Sequence, residues 1–248
     1  MLFSDKTAVV TGGASGISRR TAEKLAAGGA TVLIGDINRE GGEAAAAAIR
    51  AQGHQAEYAF LDLTDYGSIK DFAATALARL GHVDILVNGA GWSKNTPFVQ
   101  TTDDFWDLVL NLNLIGPMRL TKLLLPGMFE RKFGKVVCVS SDAGRVGSLG
   151  ETVYSGAKAG LIGFTKSLAR EGARYNVNVN CVCPGPTDTP LFGEVDQKYQ
   201  DAFIKAIPMR RAGKPEEVAD SIVFFVSPQA DYVTGQVLSV SGGLTMAG

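Results

Sequence analysis

Histidine and cysteine are scarce in this chain: its 248 residues hold two histidines, His54 and His82, and three cysteines. Two imidazoles leave little from which to build a His-based metal centre or a Ser/His/Asp triad, so zinc and hydrolase chemistries lose most of their support and no metal is expected. Cys138, Cys181 and Cys183 lie in apolar, strand-like runs without CxxC spacing, which predicts buried, reduced thiols, with Cys181 and Cys183 on one side of a strand. Excess charge of either sign is also missing. With 24 Lys and Arg against 25 Asp and Glu, the net charge is −1, and no basic stripe offers a footprint for nucleic acid. The opening MLFSDKTAVV lacks the regions of a signal peptide. The longest apolar stretch, LVLNLNLIGPMRLTKLLLPGMF, is broken by Asn111, Asn113, Pro117, Arg119 and Lys122, which a bilayer tolerates poorly. A cytoplasmic protein with no membrane partner is expected. No Pro-, Ser- or charge-rich linker divides the chain, so residues 1–248 are read as one domain.

What is abundant is apolar material, 46% of the residues, in a regular order. Short β-branched runs (KTAVVTG, TVLIGD, AEYAFLD, ILVNGA, KVVCVSS, NVNVNCVCP, QVLSVSG) alternate with helical stretches at 16–29, 39–53, 65–81, 103–131, 151–174 and 215–227. Continuous apolar strands separated by crossover helices predict an α/β fold with a doubly wound parallel sheet of the Rossmann type. Ligands of such sheets bind beyond the carboxyl ends of the strands, where strand order reverses. Gly12, Asp36, Asp62, Asn88, Ser141 and Pro184 each end or follow a predicted strand, so six distant pieces of sequence are expected on one rim.

TGGASGI at 11–17 lies between the first strand and the first helix. Gly12, Gly13 and Gly16 give a pyrophosphate access to backbone N–H groups at a helix N-terminus, and Ser15 or Ser18 can add a hydroxyl. About twenty residues on, Asp36 can accept hydrogen bonds from the adenosine ribose and would repel a 2′-phosphate, which selects NAD over NADP. Ile37 follows it and no basic pair stands in the turn, although Arg39 is close.

Tyr154 and Lys158 are four residues apart in a helical segment and project from one face. Hydride transfer to or from an alcohol carbon needs a group that handles the hydroxyl proton. A phenol with a pKa of about 10 needs roughly 4 kcal/mol of help to ionise near neutrality, and Lys158 is placed to supply positive charge. Ser141, at the end of KVVCVSS, is placed to hold the substrate oxygen.

With these residues the chain resembles the short-chain dehydrogenase/reductase family over essentially its whole length. TGGASGI resembles the family's glycine loop, including Ile17. Asp62 and Leu63 resemble its adenine contact, and NGAG at Asn88, Gly89, Ala90 and Gly91 resembles its NNAG motif. Asn113, Ser141, Tyr154 and Lys158 match the catalytic tetrad. PGPTDT, with Pro184, Gly185, Thr187 and Thr189, matches the segment that holds the nicotinamide amide. The resemblance implies a water held by Asn113 that links Lys158 to solvent, a homotetramer paired through the helices at 103–131 and 151–174, and a substrate-covering segment at about 190–214. Two positions depart from the pattern: Ser18 replaces a third glycine, and Gly89 replaces the second Asn of NNAG.

Trp92 and Phe192 are expected to line the substrate pocket, and Phe203, Ile207 and Met209 to form either an apolar inner surface or core. Within the family, SDAGRVGSLGETVY and GQVLSVSGGLTM look closest to a dehydrogenase of the 2-hydroxycyclohexanecarboxyl-CoA type, which suggests a small-molecule cyclic alcohol or hydroxyacyl-CoA. Lys94, Arg145, Arg210 and Arg211 either meet an anionic carrier such as CoA or are scattered surface cations. The expected activity is NAD-dependent interconversion of a secondary alcohol and its ketone. The alternatives are an NADP-linked 3-oxoacyl thioester reductase and a non-catalytic NAD-binding regulatory protein.

Overall fold

Seven apolar runs form strands, Thr7–Thr11 (β1), Thr31–Asp36 (β2), Ala56–Phe60 (β3), Ile85–Asn88 (β4), Gly134–Val139 (β5), Val177–Pro184 (β6) and Val237–Val240 (β7). They lie in one parallel sheet of order β3-β2-β1-β4-β5-β6-β7 in the computed structural model, which describes residues 1–246. β4 and β5 are buried at every position, as expected of strands covered on both faces. The helices that cover them are Gly16–Ala27 (α1), Arg39–Ala51 (α2), Tyr66–Leu80 (α3), Asp103–Leu110 (α4), Gly116–Arg131 (α5), Ala143–Val146 (α6), Thr152–Gly172 (α7), Pro190–Gly193 (α8), Gln197–Ala206 (α9) and Pro215–Val226 (α10).

The period of two along each strand divides the core. Val10 and Ile34 pack with Leu25, Ile49 and Ile222 on one face, under α1, α2 and α10. Val9 and Leu33 point the other way and pack with Phe72, Leu120 and Leu161, under α3, α5 and α7. Strand order reverses between β1 and β4, so the loops after these strands diverge and leave a crevice at their carboxyl ends.

Two local features differ from the sequence reading. The helix expected to run unbroken over 103–131 contains a π-helical turn, Asn111–Ile115, between α4 and α5. Apolar residues continue through it, so the sequence pattern carries no sign of the extra residue. The segment 190–214, read as irregular, contains α8 and α9. Thr189 accepts from the Phe192 N–H ahead of Pro190, and Asp196 accepts from the Lys198 N–H; both are ordinary helix-start signals. Among the described residues, Asp103–Arg131 is the one helical stretch long and apolar enough to cross a membrane. Of its most apolar window 39% is buried inside the fold, and its second half packs against α3.

α5 starts in close contact with the loop after β3. A side-chain carbon at Gly116 would overlap the Leu63 carbonyl oxygen and lie 2.8 Å from Leu63 Cβ and 2.9 Å from the Asn111 carbonyl oxygen. Backbone on two sides cannot yield as a flexible side chain would. Gly116→Ala is therefore expected to lower stability by about 1–3 kcal/mol, measured as a lower urea midpoint at unchanged slope.

Candidate active site

The crevice at the switch point is a cleft of about 540 Å³. One wall is the glycine loop and the start of α1. Gly12 has φ +73°, and a side chain there would lie 2.7 Å from Ala90 Cα, so the loops after β1 and β4 meet backbone to backbone. Gly16, at φ +56°, faces the Thr189 methyl, which brings the PGPTDT segment onto the same loop. Ser15 is the N-cap of α1, but its hydroxyl makes no capping bond. The first N–H groups of the helix are left for an acceptor, the arrangement that suits a phosphate.

Gly12, Ser15, Gly16, Ile17, Asp36 and Asp62 all line the cleft, together with Leu63, Ala90, Gly91, Trp92 and Thr189. Asp36 accepts from the Ala14 N–H at 3.0 Å and the Asn38 N–H at 2.9 Å, which fixes the carboxylate at the end of β2. Asp62 Oδ1 accepts from the Thr64 N–H and hydroxyl at 2.8 and 2.7 Å, holding the turn that presents Leu63. Arg39 stacks on Phe60 with its guanidinium carbon 4.1 Å from the ring centre. No lysine or arginine is among the residues lining the cleft. Bare backbone, a free helix N-terminus and a carboxylate at the end of β2 fit a dinucleotide.

Other residues expected on this wall lie as follows. The Asn88 side chain points away from the cleft: it is buried and donates to Thr121 Oγ1 at 3.0 Å and Cys138 Sγ at 3.8 Å, tying β4 to α5 and β5. Phe192 does not line the cleft and Leu191 does, because α8 starts at Pro190 and turns its second residue inward. Pro184, Gly185 and Thr187 do not line it either. Gly185 packs against Ser241, and the Thr187 hydroxyl donates to the Gly185 carbonyl at 2.9 Å, so they shape the loop that carries Thr189. In the covering segment, Ile207 is core while Phe203 and Met209 are exposed. Arg211 is committed to Glu217 through two hydrogen bonds.

The four residues of the tetrad come together beside the Gly91 end of the cleft. Lys158 is buried and donates to the Val139 carbonyl at 2.9 Å. A side chain at Gly91 would stand 3.1 Å from Lys158 Nζ and 3.0 Å from Asn113 Oδ1. Asn113, on the π-helical turn, binds the Trp92 backbone in both directions and the Val109 carbonyl. The turn is the feature that sequence reading missed, and it carries Asn113 toward α7. Lys158 Nζ is 5.6 Å from the centre of the Tyr154 ring. The Ser141 hydroxyl accepts from the Ala143 N–H at 3.1 Å and acts on Tyr154 to favour its ionised form. Cys138, Cys181 and Cys183 lie beneath, free and fully buried, with the last two sulfurs 3.9 Å apart.

In the protein alone the phenol is held up rather than lowered. Burial first, and then the Glu151 charge, push Tyr154 above the ordinary phenol value, with Ser141 acting the other way. Burial pushes Lys158 down to about 8. Low polarity disfavours both charged forms, so Tyr154 rests as a neutral phenol, a proton donor.

Over residues 12–245 the chain matches the family described as Enoyl-(Acyl carrier protein) reductase. It is 37% identical over 246 residues to the 3-oxoacyl-[acyl-carrier-protein] reductase of Thermotoga maritima, a match that covers 99% of this chain and 100% of the relative. It is 42% identical over 241 residues to the acetoacetyl-CoA reductase of Synechocystis sp., covering 97% and 96%. Against the (2S)-[(R)-hydroxy(phenyl)methyl]succinyl-CoA dehydrogenase subunit BbsD of Thauera aromatica the identity is 35% over 246 residues, covering 99% of each. The names of these relatives do not bear out the 2-hydroxycyclohexanecarboxyl-CoA resemblance.

The buried Lys158 makes a prediction about stability. The unfolded chain holds the lysine proton up to about 10.5, and the folded chain releases it near 8. Between those values the unfolded state binds more protons, so stability rises with pH, by roughly 3 kcal/mol at 1.36 kcal/mol per unit. Melts of the wild type at pH 7.5 and 9.5 are expected to show about 2 kcal/mol of that gain once compared with Lys158→Met, which should lack it and be the more stable of the two at pH 7.5.

Proposed function

The chain belongs to the short-chain dehydrogenase/reductase family, and on that premise we propose that it moves a hydride between NAD and carbon 3 of an acyl thioester. As a member it is an oxidoreductase that interconverts a secondary alcohol and its ketone. Three relatives support the choice of substrate, because a 3-oxoacyl carrier-protein ester, acetoacetyl-CoA and a hydroxy(phenyl)methylsuccinyl-CoA share an oxygen at that carbon. The observation that carries the reading is the group of half-buried Ser141 and Tyr154 with buried Lys158 and Asn113 at the end of a cleft that fits a dinucleotide.

The dinucleotide supplies or takes the hydride. Ser141 donates a hydrogen bond to the substrate oxygen and holds it beside Tyr154. In reduction Tyr154 gives its proton to that oxygen as the hydroxyl forms, a role that its neutral resting form already suits. Lys158 carries positive charge at pH 7, being protonated below about 8, and stabilises the phenolate left behind. Asn113 holds the Trp92 backbone, and with it the wall that faces the substrate. A water held at Asn113 would complete the return of a proton to Lys158 from solvent.

The choice of NAD over NADP is supported by the Asp36 carboxylate and by cleft walls that carry no cation to hold a 2′-phosphate. The exposed Phe98, Trp106 and Leu108, on α4 and the loop before it, support assembly as a homotetramer through this region and α7. A cytoplasmic location agrees with this reading.

Three measurements test it. Fluorescence titration is expected to show NADH binding at least about tenfold tighter than NADPH, a difference of about 1.4 kcal/mol, with the gap narrowed in Asp36→Ala; equal binding would refute the NAD assignment. Tyr154→Phe should lose at least about 100-fold in turnover of acetoacetyl-CoA while binding NADH as the wild type does. A variant that kept its activity would remove Tyr154 from the chemistry, and a wild type inert on acyl thioesters and cyclic alcohols alike would favour a binding protein. Sedimentation as a monomer at micromolar concentration would remove the tetramer.

A further inference from the structure

Ser18 and Gly89, the two departures from the family pattern, are one feature in space. Ser18 is in the first turn of α1 and Gly89 follows β4, 71 positions apart in sequence. Any side-chain carbon at position 89 would overlap Ser18 Oγ, and would also lie 3.1 Å from the Thr11 carbonyl oxygen and 3.3 Å from Ser18 Cβ. The hydroxyl of Ser18 therefore occupies the space where a side chain at 89 would begin. Ser18 is 4% exposed, and among the described residues its hydroxyl has no hydrogen-bond partner. It is absent from the buried polar atoms that lack a partner, Asn88 Oδ1, Ser93 Oγ and Ser155 Oγ, so its oxygen is reachable from the cleft that Ser18 lines.

A hydroxyl enclosed on nearly all sides costs stability unless a partner satisfies it. The open side of this one faces the cleft at the N-terminus of α1, beside the uncapped N–H groups. We propose that Ser18 Oγ is a ligand for the bound nicotinamide dinucleotide, a contact that exists only because Gly89 leaves room for it, so that the two positions form one coupled determinant of cofactor binding. The inference rests on the dinucleotide reading of the cleft. It differs from the backbone contacts of the glycine loop, because it assigns a side-chain contact and makes it conditional on a second, distant residue.

Five proteins test it by NADH fluorescence titration and by thermal melts without cofactor: wild type, Ser18→Ala, Ser18→Gly, Gly89→Asn and the double variant Ser18→Gly/Gly89→Asn. Ser18→Ala keeps the packing and removes the hydroxyl; the Kd for NADH is expected to rise about 3- to 10-fold, with the cofactor-free melt at or above that of wild type because an unpartnered hydroxyl is removed. Gly89→Asn forces the overlap and is expected to lower the melt by roughly 5 °C and to weaken NADH binding further. The double variant should recover most of the melting temperature, since Ser18→Gly vacates the space. NADH binding by Ser18→Ala equal to wild type would overturn the ligand role. Equal losses from Gly89→Asn with and without the Ser18→Gly change would overturn the coupling. A wild type that binds neither NADH nor NADPH would instead remove the dinucleotide reading, and this inference with it.

Discussion

The site depends on keeping one ammonium inside protein. Lys158 is enclosed, and among the described residues its charged nitrogen makes one hydrogen bond, to the Val139 carbonyl. Burial is the largest influence on its charge and pushes its pKa down. An ion pair would have settled the charge more firmly, but it would have placed a negative group beside Tyr154 and raised the phenol further, as Glu151 already does. The neighbourhood of Lys158 is built to tolerate the uncompensated charge. Gly91 presents no side chain to it, and Gly144 allows α6 to press on the α7 backbone at Lys158. The Ser140 hydroxyl donates to the Lys158 carbonyl at 2.8 Å. Gly160 lets α7 approach Leu114 on the π-helical turn, which brings Asn113 to the same place.

The cleft beside this group follows from sheet topology more than from any one side chain. At the switch point the Thr11 hydroxyl accepts from the Gly89 N–H at 3.0 Å and the Ala90 N–H at 3.2 Å, so the ends of β1 and β4 are tied together by a side chain. Those two N–H groups fall beyond the last paired residue of β4 with β1 and would otherwise lack partners. The tie draws Gly12 against Ala90, and the resulting floor is bare backbone. Polar groups that recognise a dinucleotide then enter from the edges, Asp36 at the end of β2 and the free N-terminus of α1 from above. Ser141 after β5, Tyr154 and Lys158 on α7 and Asn113 on the π-helical turn lie on the other side of the switch point.

Much of this was legible in the sequence because the fold repeats a simple pattern. Continuous apolar runs announced strands buried on both faces, and glycine or polar residues at their ends announced the rim. Tyr154 and Lys158 were legible because helix geometry fixes the relation of residues four apart. What escaped was of two kinds. The π-helical turn left no trace, since an added residue inside an apolar helix does not break the hydrophobic pattern when Leu112, Leu114 and Ile115 supply apolar side chains throughout. The burial that raises the Tyr154 pKa also escaped, because spacing reveals which charges are near and says nothing of how much water is excluded. The direction of the Asn88 side chain escaped for a related reason: Asn88 stands at the strand end, but strand periodicity turns its side chain to α5, where Thr121 receives it.

Ser18 and Gly89 show a third limit, and it concerns what a motif is. Read as letters, each is a defect: a side chain where the glycine loop expects none, and a missing side chain where the strand end expects an amide. Read as volume, they cancel, because the atoms gained on α1 occupy the space vacated after β4. Thr11 explains why the exchange has to be local. Its hydroxyl fixes the backbone of Gly89, so that segment cannot shift to make room for two side chains, and the space can hold only one. Which of the two positions supplies it decides whether the polar group is carried by the helix that meets the phosphates or by the strand end. Motif glycines on facing elements are therefore read in pairs: the absence of a side chain at one position states what the other is allowed to carry.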